Sequence, residues 1–340
     1  PPRHRPDTDA RAMMKLGSLR PYFWRYRWRF ATGIAFVFLA NFFATRVPLV
    51  VGDTINSLKV GLDPTLLAWM SGYLVVIAAL GGCFRYLMRR VLIDTSRDME
   101  YDFRNDLYRH LQRLDRTYYD GTSTGDVMSR MTNDIEAVRM MIGPAVMYTA
   151  NTVFTVPLVV VAMVALDWRV TLAALAPMLL IPVVTKFFGA SMHKRFKEQQ
   201  EAMSELTTFA QETFSGIRVV KAYVQEDANL ARFGAENDRF IDKSMKLVAL
   251  QAFFFPLIRL AGGFGLVAIV GIGAMEILAG RLDFGSLVAL VMLYTALMWP
   301  LIAAGWVINL FQRSAAAMER LDEIFRTPAR VADAPSMVAA

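Results

Sequence analysis

Long unbroken apolar runs alternate with long charged ones along this chain. Six of the apolar runs, at about 30–52, 66–89, 141–166, 169–189, 249–279 and 284–309, are long enough to cross the roughly 30 Å of a bilayer's hydrocarbon as helices, which takes about 20 residues each. Three connections are very short: 53–65, Asp167-Trp168 and 280–283. Two others are long, roughly 90–140 and 190–248, and in these the pattern changes period but does not lapse. Met99, Phe103, Leu107, Leu111, Leu114 and Tyr118 recur every three or four residues with Arg, Asp, Asn and Gln between them, the stripe of an amphipathic helix. Phe196, Met203, Leu206, Phe209 and Ala210 repeat it. The second span is therefore expected to run straight on into water for about 25 residues, almost 40 Å at 1.5 Å per residue. Legs of this kind must pack on one another to keep their stripes dry. The predicted fold class is an all-α membrane protein, six transmembrane helices with long helical extensions.

Composition agrees. Of 340 residues, 55% are hydrophobic, too many for an ordinary soluble domain, while the 20% that are charged are segregated. The 37 basic and 30 acidic residues give a net charge of +7, which could suggest nucleic acid, but placement argues otherwise. On the face carrying the short connections the basic residues are Lys59, Arg169 and Arg281, and two more, Arg46 and Arg259, fall inside spans. Nearly all the rest lie with the long connections and the termini, which the positive-inside rule assigns to the cytoplasm. The stretch PYFWRYRWRF, Pro21–Phe30, reads as an interfacial anchor at the inner leaflet, with lipid as its partner and not RNA. A secretory signal is not expected, because the first apolar run is too long and lacks a small-residue cleavage site. Cys83 lies in an apolar run, and His4, His110 and His193 are too scattered to complete a zinc site with it. Paired carboxylates are absent from the spans, so neither a metal nor a catalytic residue is expected.

Two stretches mark where each long connection turns back: YYDGTSTGDVMSRMTNDIEAVR, Tyr118–Arg139, and ETFSGIRVVKAYVQEDANLARF, Glu212–Phe233. In the first, Asp120 to Gly125 supplies the Gly and hydroxyl residues of a chain reversal, after which helix resumes with Asp126 and Arg130 at the favourable four-residue spacing. The second sets Gly216 before a β-branched run and then Tyr223, Glu226 and Asp227. Together they resemble the intracellular-loop signatures of the type IV exporter transmembrane domain of ATP-binding cassette (ABC) transporters. The matching residues are Tyr118, Tyr119, Gly125, Asp126, Ser129, Arg130, Thr132, Asn133 and Asp134, then Glu212, Gly216, Ile217, Arg218, Val220, Lys221, Ala222 and Tyr223. Trp299-Pro300-Leu301 and QRSAAAMERLDEIF resemble that family's last helix, and the resemblance covers about residues 15–328. The last helix and the aromatic stretch before the first span look most like those of bacterial multidrug-exporter halves.

The resemblance implies a half-transporter that pairs with a second half, as homodimer or heterodimer, one pair of spans crossing to the partner. It implies two short coupling helices docking on nucleotide-binding ATPase domains. The first would lie near Tyr119–Asp126, with Tyr119, Asp120, Gly125 and Asp126. The second would lie near Ala222–Asn229, with Tyr223 as the aromatic plug and Glu226 and Asp227 beside it. No G-x-x-x-x-G-K-[ST] segment occurs in the sequence, so this chain is expected to bind no cofactor and to hydrolyse no ATP alone, Mg-ATP belonging to an ATPase domain fused beyond it or supplied separately. The expected organisation is a cytoplasmic tail and elbow (1–29), the membrane domain (30–325) and a linker (326–340), in a bacterial inner or plasma membrane with both termini cytoplasmic.

Asn41, Arg46, Arg259, Met292, Tyr294, Met298 and Trp299 are the candidate lining of a substrate cavity, charges at membrane depth being costly and Met and aromatics adaptable; helix packing explains each of them as well. Glu276 has the same two readings. Gly262, Gly263, Gly265, Gly271 and Gly273, inside a span, are read as close-packing positions and not a dinucleotide loop. Expected cargo is amphipathic, multidrug or lipid-like. Two other functions are the alternatives: a membrane enzyme, which needs titratable pairs or metal ligands that the spans lack, and a regulatory or assembly subunit that binds ATPase subunits without transporting.

Overall fold

The computed structural model describes residues 19–60 and 64–329, apart from the side chains of 59, 60, 181–186 and 255. The tail before residue 19 and the linker after 329 lie outside the described residues, and the short first connection lies partly outside them. Among the described residues every regular element is helical, and five helices are long and apolar enough to cross a membrane.

The chain divides into two contact units, one holding the described residues up to Leu166 and from Leu282 on, the other Asp167–Arg281. In the first unit a short helix α1 (Arg20–Arg25) leads into α2 (Arg27–Val60). The 48-residue α3 (Pro64–Leu111) carries the second span into its predicted leg without a break. Met99, Phe103, Leu107 and Leu111 are buried, so their stripe is the inner face of that leg; Leu114, also buried, and Tyr118 lie beyond the end of the helix. After α4 (Arg116–Gly121) and α5 (Thr124–Ser129) the chain climbs back. It passes a wide π turn at Arg130–Asp134, α6 (Ile135–Met140), a second π turn at Met141–Ala145 around Pro144, and α7 (Val146–Leu166). The last helix, α12 (Phe284–Arg326), packs on α2, α6 and α7.

The elbow is fastened to the leg of α3 by a polar ladder. Tyr22 Oη donates to Asp106 at 2.7 Å, Tyr26 Oη donates to Asp102 at 2.9 Å, Arg25 pairs with Asp102 at 3.0 Å, and Arg29 pairs with Asp98. The acceptors recur every four residues and so share one face of α3. Burial, and then the Asp106 acceptor, hold the Tyr22 phenol well above its ordinary range. Trp24 and Trp28 stay outside, exposed, as an interfacial anchor requires.

In the second unit, α8 (Trp168–Leu175) is capped by Asp167, whose carboxylate accepts from the backbone N–H of Arg169 at 2.7 Å and of Val170 at 2.9 Å. The fourth predicted span, 169–189, is not one continuous α-helix. Pro177, which cannot donate to an α-helical turn, sits in a 3₁₀ turn at Ala176–Leu179, and only then does α9 (Leu180–Ser215) begin. After α10 (Ile217–Ala222) the chain returns in the 53-residue α11 (Glu226–Leu278), which packs on α8 and α9. The stripe on α9 is only partly covered: Leu206, Phe209 and Ala210 are half-buried, but Phe196 and Met203 remain exposed. The expectation that the legs dry their stripes on each other thus holds for α3 and fails for much of α9, whose helical neighbour in this unit covers one side of it.

Candidate functional site

The first turn is built by local caps. Asp115 accepts from the Tyr118 N–H at 3.3 Å to start α4, and Ser123 Oγ accepts from the Asp126 N–H at 3.1 Å to start α5. The short helix expected near Tyr119–Asp126 is divided between two, α4 starting three residues upstream and α5 starting at Thr124, because Thr122 is extended and ends α4 before the second cap. Tyr119 Oη donates to the Leu111 carbonyl at 2.7 Å, closing the turn onto the leg, and its partial burial raises the phenol's pKa. Asp120 is exposed and pairs with Arg116 at 3.6 Å, while Gly125 is open to solvent.

The signature's charges then fasten this turn to the end of α12. Arg130 pairs with Asp126 at 2.9 Å, as the spacing predicts, and also reaches Glu323 and the Arg320 carbonyl, both at 3.1 Å. Asp134 is buried and receives both prongs of Arg320, at 2.8 and 2.5 Å, the fork geometry that suits Arg to a carboxylate. Asn133 donates to Ser129 at 3.2 Å. His110 Nε2 lies 2.9 Å from the Ile324 carbonyl and 3.1 Å from that of Thr327, so its N–H completes the last turn of the same helix.

The second turn sits differently from its predicted place. Gly216 ends α9, donating to the Glu212 carbonyl at 2.9 Å, and the short helix that follows is Ile217–Ala222. Residues 223–225 form the tip, and Glu226 and Asp227 open α11, where carboxylates suit a helix N-terminus. Tyr223 is 73% exposed and Val224 81% exposed. Val224 has φ +51°, a left-handed conformation that a β-branched residue rarely adopts. The Gln225 N–H reaches back 2.9 Å to the Val220 carbonyl across this reversal, and Lys221 pairs with Glu226 at 3.5 Å. Glu212 and Arg218 are exposed. The turn thus presents an apolar knob, Tyr223 and Val224, ringed by charge; Val224 carried no signal in the sequence.

A cleft of about 420 Å³ opens among α2, α3, α7 and α12. Asn41 forms its polar floor, donating to Asn151 Oδ1 at 3.0 Å and to the Val37 carbonyl at 2.9 Å, and accepting from Thr155 Oγ1 at 2.7 Å. Trp299, Met88 and Met147 supply apolar wall, and Arg85 and Arg89 supply charge. Of the predicted lining only Asn41 and Trp299 meet here. Arg46 is exposed with its guanidinium 5.0 Å from the Phe42 ring, Tyr294 is buried in helix packing, and Met292 and Met298 lie outside the cleft. Arg259 belongs to the other unit, as does Glu276. Glu276 is buried and held by Arg281 at 3.0 Å and Arg169 at 3.5 Å, an ion-pair cluster at the end of its span. Gly263 and Gly271 have open space where a Cβ would stand, so the packing expected of that run does not extend to them within this chain. No group of His, Cys, Asp and Glu among the described residues is placed to hold a metal ion.

A sequence profile of the family described as ABC transporter transmembrane region matches residues 30–301. A multidrug resistance-like ATP-binding protein, MdlA of Escherichia coli, is 30% identical over 91% of this chain and 53% of its own length. An uncharacterized ABC transporter ATP-binding protein of Bacillus subtilis, YknU, is 28% identical over 93% of the chain and 54% of its length. An ATP-dependent lipid A-core flippase of Syntrophus aciditrophicus is 26% identical over 87% and 49%. The chain spans about half the length of the curated relatives it matches.

Proposed function

Because the chain belongs to the ABC transporter transmembrane-region family, we propose that it is the membrane half of an ATP-driven exporter. It forms the translocation pathway with a second half and moves amphipathic compounds, drugs or lipids, outward across a bacterial inner membrane. Its long connections and termini face the cytoplasm. Mg-ATP is bound and hydrolysed on nucleotide-binding domains, fused or separate, and this chain contributes no catalytic group to that step.

The observation that carries the reading is the build of the two turns. One is clamped to the last helix through Arg130, Asp134 and Arg320, and the other leaves Tyr223 and Val224 uncovered at the tip of rigid helical legs. Such an apolar knob, flanked by Glu226 and Asp227, suits a groove on an ATPase domain. Closure of the ATPase domains then acts on helices tens of ångströms long, as a lever on the bundles. ATP biases an equilibrium between two arrangements, which is alternating access. The names of the relatives, a multidrug resistance-like protein and a lipid A-core flippase, support cargo with a large apolar part.

The test is ATP-dependent movement of a fluorescent amphiphile into inverted vesicles. Vesicles carrying this chain with its ATPase are expected to accumulate it, and vesicles with the ATPase alone are not. Equal accumulation in the two would reject the transport role.

A further inference from the structure

The cleft has an unbalanced charge. Arg85 and Arg89 both line it, one helical turn apart on α3, yet no Asp or Glu does. Both side chains are exposed, and like charges four residues apart on a helix repel unless an anion answers them. Elsewhere in this unit the chain supplies the answer. Arg97, Arg104 and Arg139 converge on Glu100, Arg130 pairs with Asp126 and Glu323, and Arg320 pairs with Asp134. Arg85 and Arg89 pair with no carboxylate among the described residues. The neighbouring Arg90, which points elsewhere, has both Tyr86, at 3.0 Å, and Asp94, at 3.7 Å.

The rest of the cleft is amphipathic in the same sense. Met88, Met147 and Trp299 offer a polarizable apolar wall, and Asn41, Asn151 and Thr155 already satisfy one another, so the floor presents no competing negative charge. We propose that Arg85 and Arg89 form an anion-recognition site, so that the cleft selects amphiphiles with a carboxylate or phosphate headgroup over neutral or cationic ones. The headgroup accepts charge-assisted hydrogen bonds from the two guanidinium groups, and the chain of the amphiphile lies along Met88, Met147 and Trp299. This inference deepens the exporter reading and rests on it for the fate of the cargo, but not for its binding.

The experiment uses the intact transporter containing this chain, reconstituted in phosphatidylcholine vesicles, with a fluorescent dodecanoic acid and its methyl ester as matched probes. Nucleotide-free binding, followed by energy transfer from tryptophan, is expected to favour the acid by about tenfold or more. Arg85→Gln with Arg89→Gln should abolish that preference and leave ester binding within about twofold, while Arg85→Lys with Arg89→Lys should retain most of it. Equal binding of acid and ester by the unaltered protein, or a parallel loss of both in the glutamine variant, would overturn the proposal and leave the arginines as contacts to the headgroup surface alone. ATP-driven movement is scored separately. Acid preference in binding without ATP-driven movement of either probe upholds the anion site and rejects the exporter reading; movement of both at equal rates and affinities does the reverse. Adding phosphatidylglycerol to the vesicles identifies the source of the headgroup: displacement of the acid points to a bilayer lipid, and undiminished binding to a compound drawn from water.

Discussion

A Cβ built on Gly285 would stand 1.9 Å from the Gly52 carbonyl oxygen and 2.7 Å from Asn56 Oδ1, so α2 and α12 meet backbone to backbone. Asn56 uses the closeness, accepting from the Gly285 N–H at 2.8 Å. Small residues allow membrane helices this approach, and any side chain forces them apart. Gly285→Ala is expected to lower the stability of the detergent-solubilised protein by about 1–3 kcal/mol, the usual cost of overpacking, seen as a lower unfolding midpoint. Gly82→Ala, at a position with open space around it, should leave the midpoint unchanged or slightly higher. At the tip of the second turn the strain runs the other way. Val224→Gly removes a left-handed β-branched residue and should not reduce stability, but it deletes part of the exposed knob. The expected signature is an unchanged melt with weaker docking of the ATPase domain, measured by co-purification.

Among the elements, the junction of α3 with α6 gathers three arginines on one buried carboxylate. Glu100 is buried and receives Arg104 at 2.5 Å and Arg97 at 2.9 Å, with the buried Arg139 at 3.6 Å. Arg139 is shared with Glu136, whose carboxylate it holds directly. Neutralising Glu100 strands Arg139 in the interior with one partner in place of two. Glu100→Gln is therefore expected to cost about 3 kcal/mol, at the low end for a broken buried pair, because the other two arginines can turn to water. A melt indistinguishable from the unaltered protein would contradict this account of the junction.

Periodicity made the α3 leg legible because the face carrying Met99, Phe103, Leu107 and Leu111 is buried, but the stripe overran the helix, which ends at Leu111 while Tyr118 belongs to α4. The α9 leg was less legible for the same reason in reverse, since Phe196 and Met203 follow the helical period yet stay exposed. Pro177 was visible, but a kink and a 3₁₀ turn read alike until the backbone is known. The turns were located by their signature residues, whereas their bounds depended on caps at Asp115 and Ser123 and on the left-handed Val224, which one-dimensional spacing does not encode. The cleft was the least legible part. Arg85, Arg89, Asn151 and Thr155 converge only once the rotations of four helices are set, and the sequence pattern singles out none of the four.

Over the whole molecule, charge placement and the polar ends of the helices tell a consistent story. Two of the three basic residues assigned to the outer face, Arg169 and Arg281, are taken up by Glu276, so that face carries little free positive charge. The long connections hold the ladder and clamps of the first unit and the exposed tip of the second. Helices of 48, 53 and 43 residues, α3, α11 and α12, continue well past the length a bilayer requires, and α11 begins at the second turn, so a push there is carried along that helix. On the proposed function, the second turn is where ATP turnover is converted into movement of cargo. The most direct measurement is the ratio of amphiphile transported to ATP hydrolysed by the intact transporter in vesicles, for the unaltered protein and for Tyr223→Ala and Asp227→Asn. Both variants are expected to keep nucleotide-free amphiphile binding and much of their ATP hydrolysis while transport per ATP falls at least several-fold. Unaltered coupling in both would contradict this assignment.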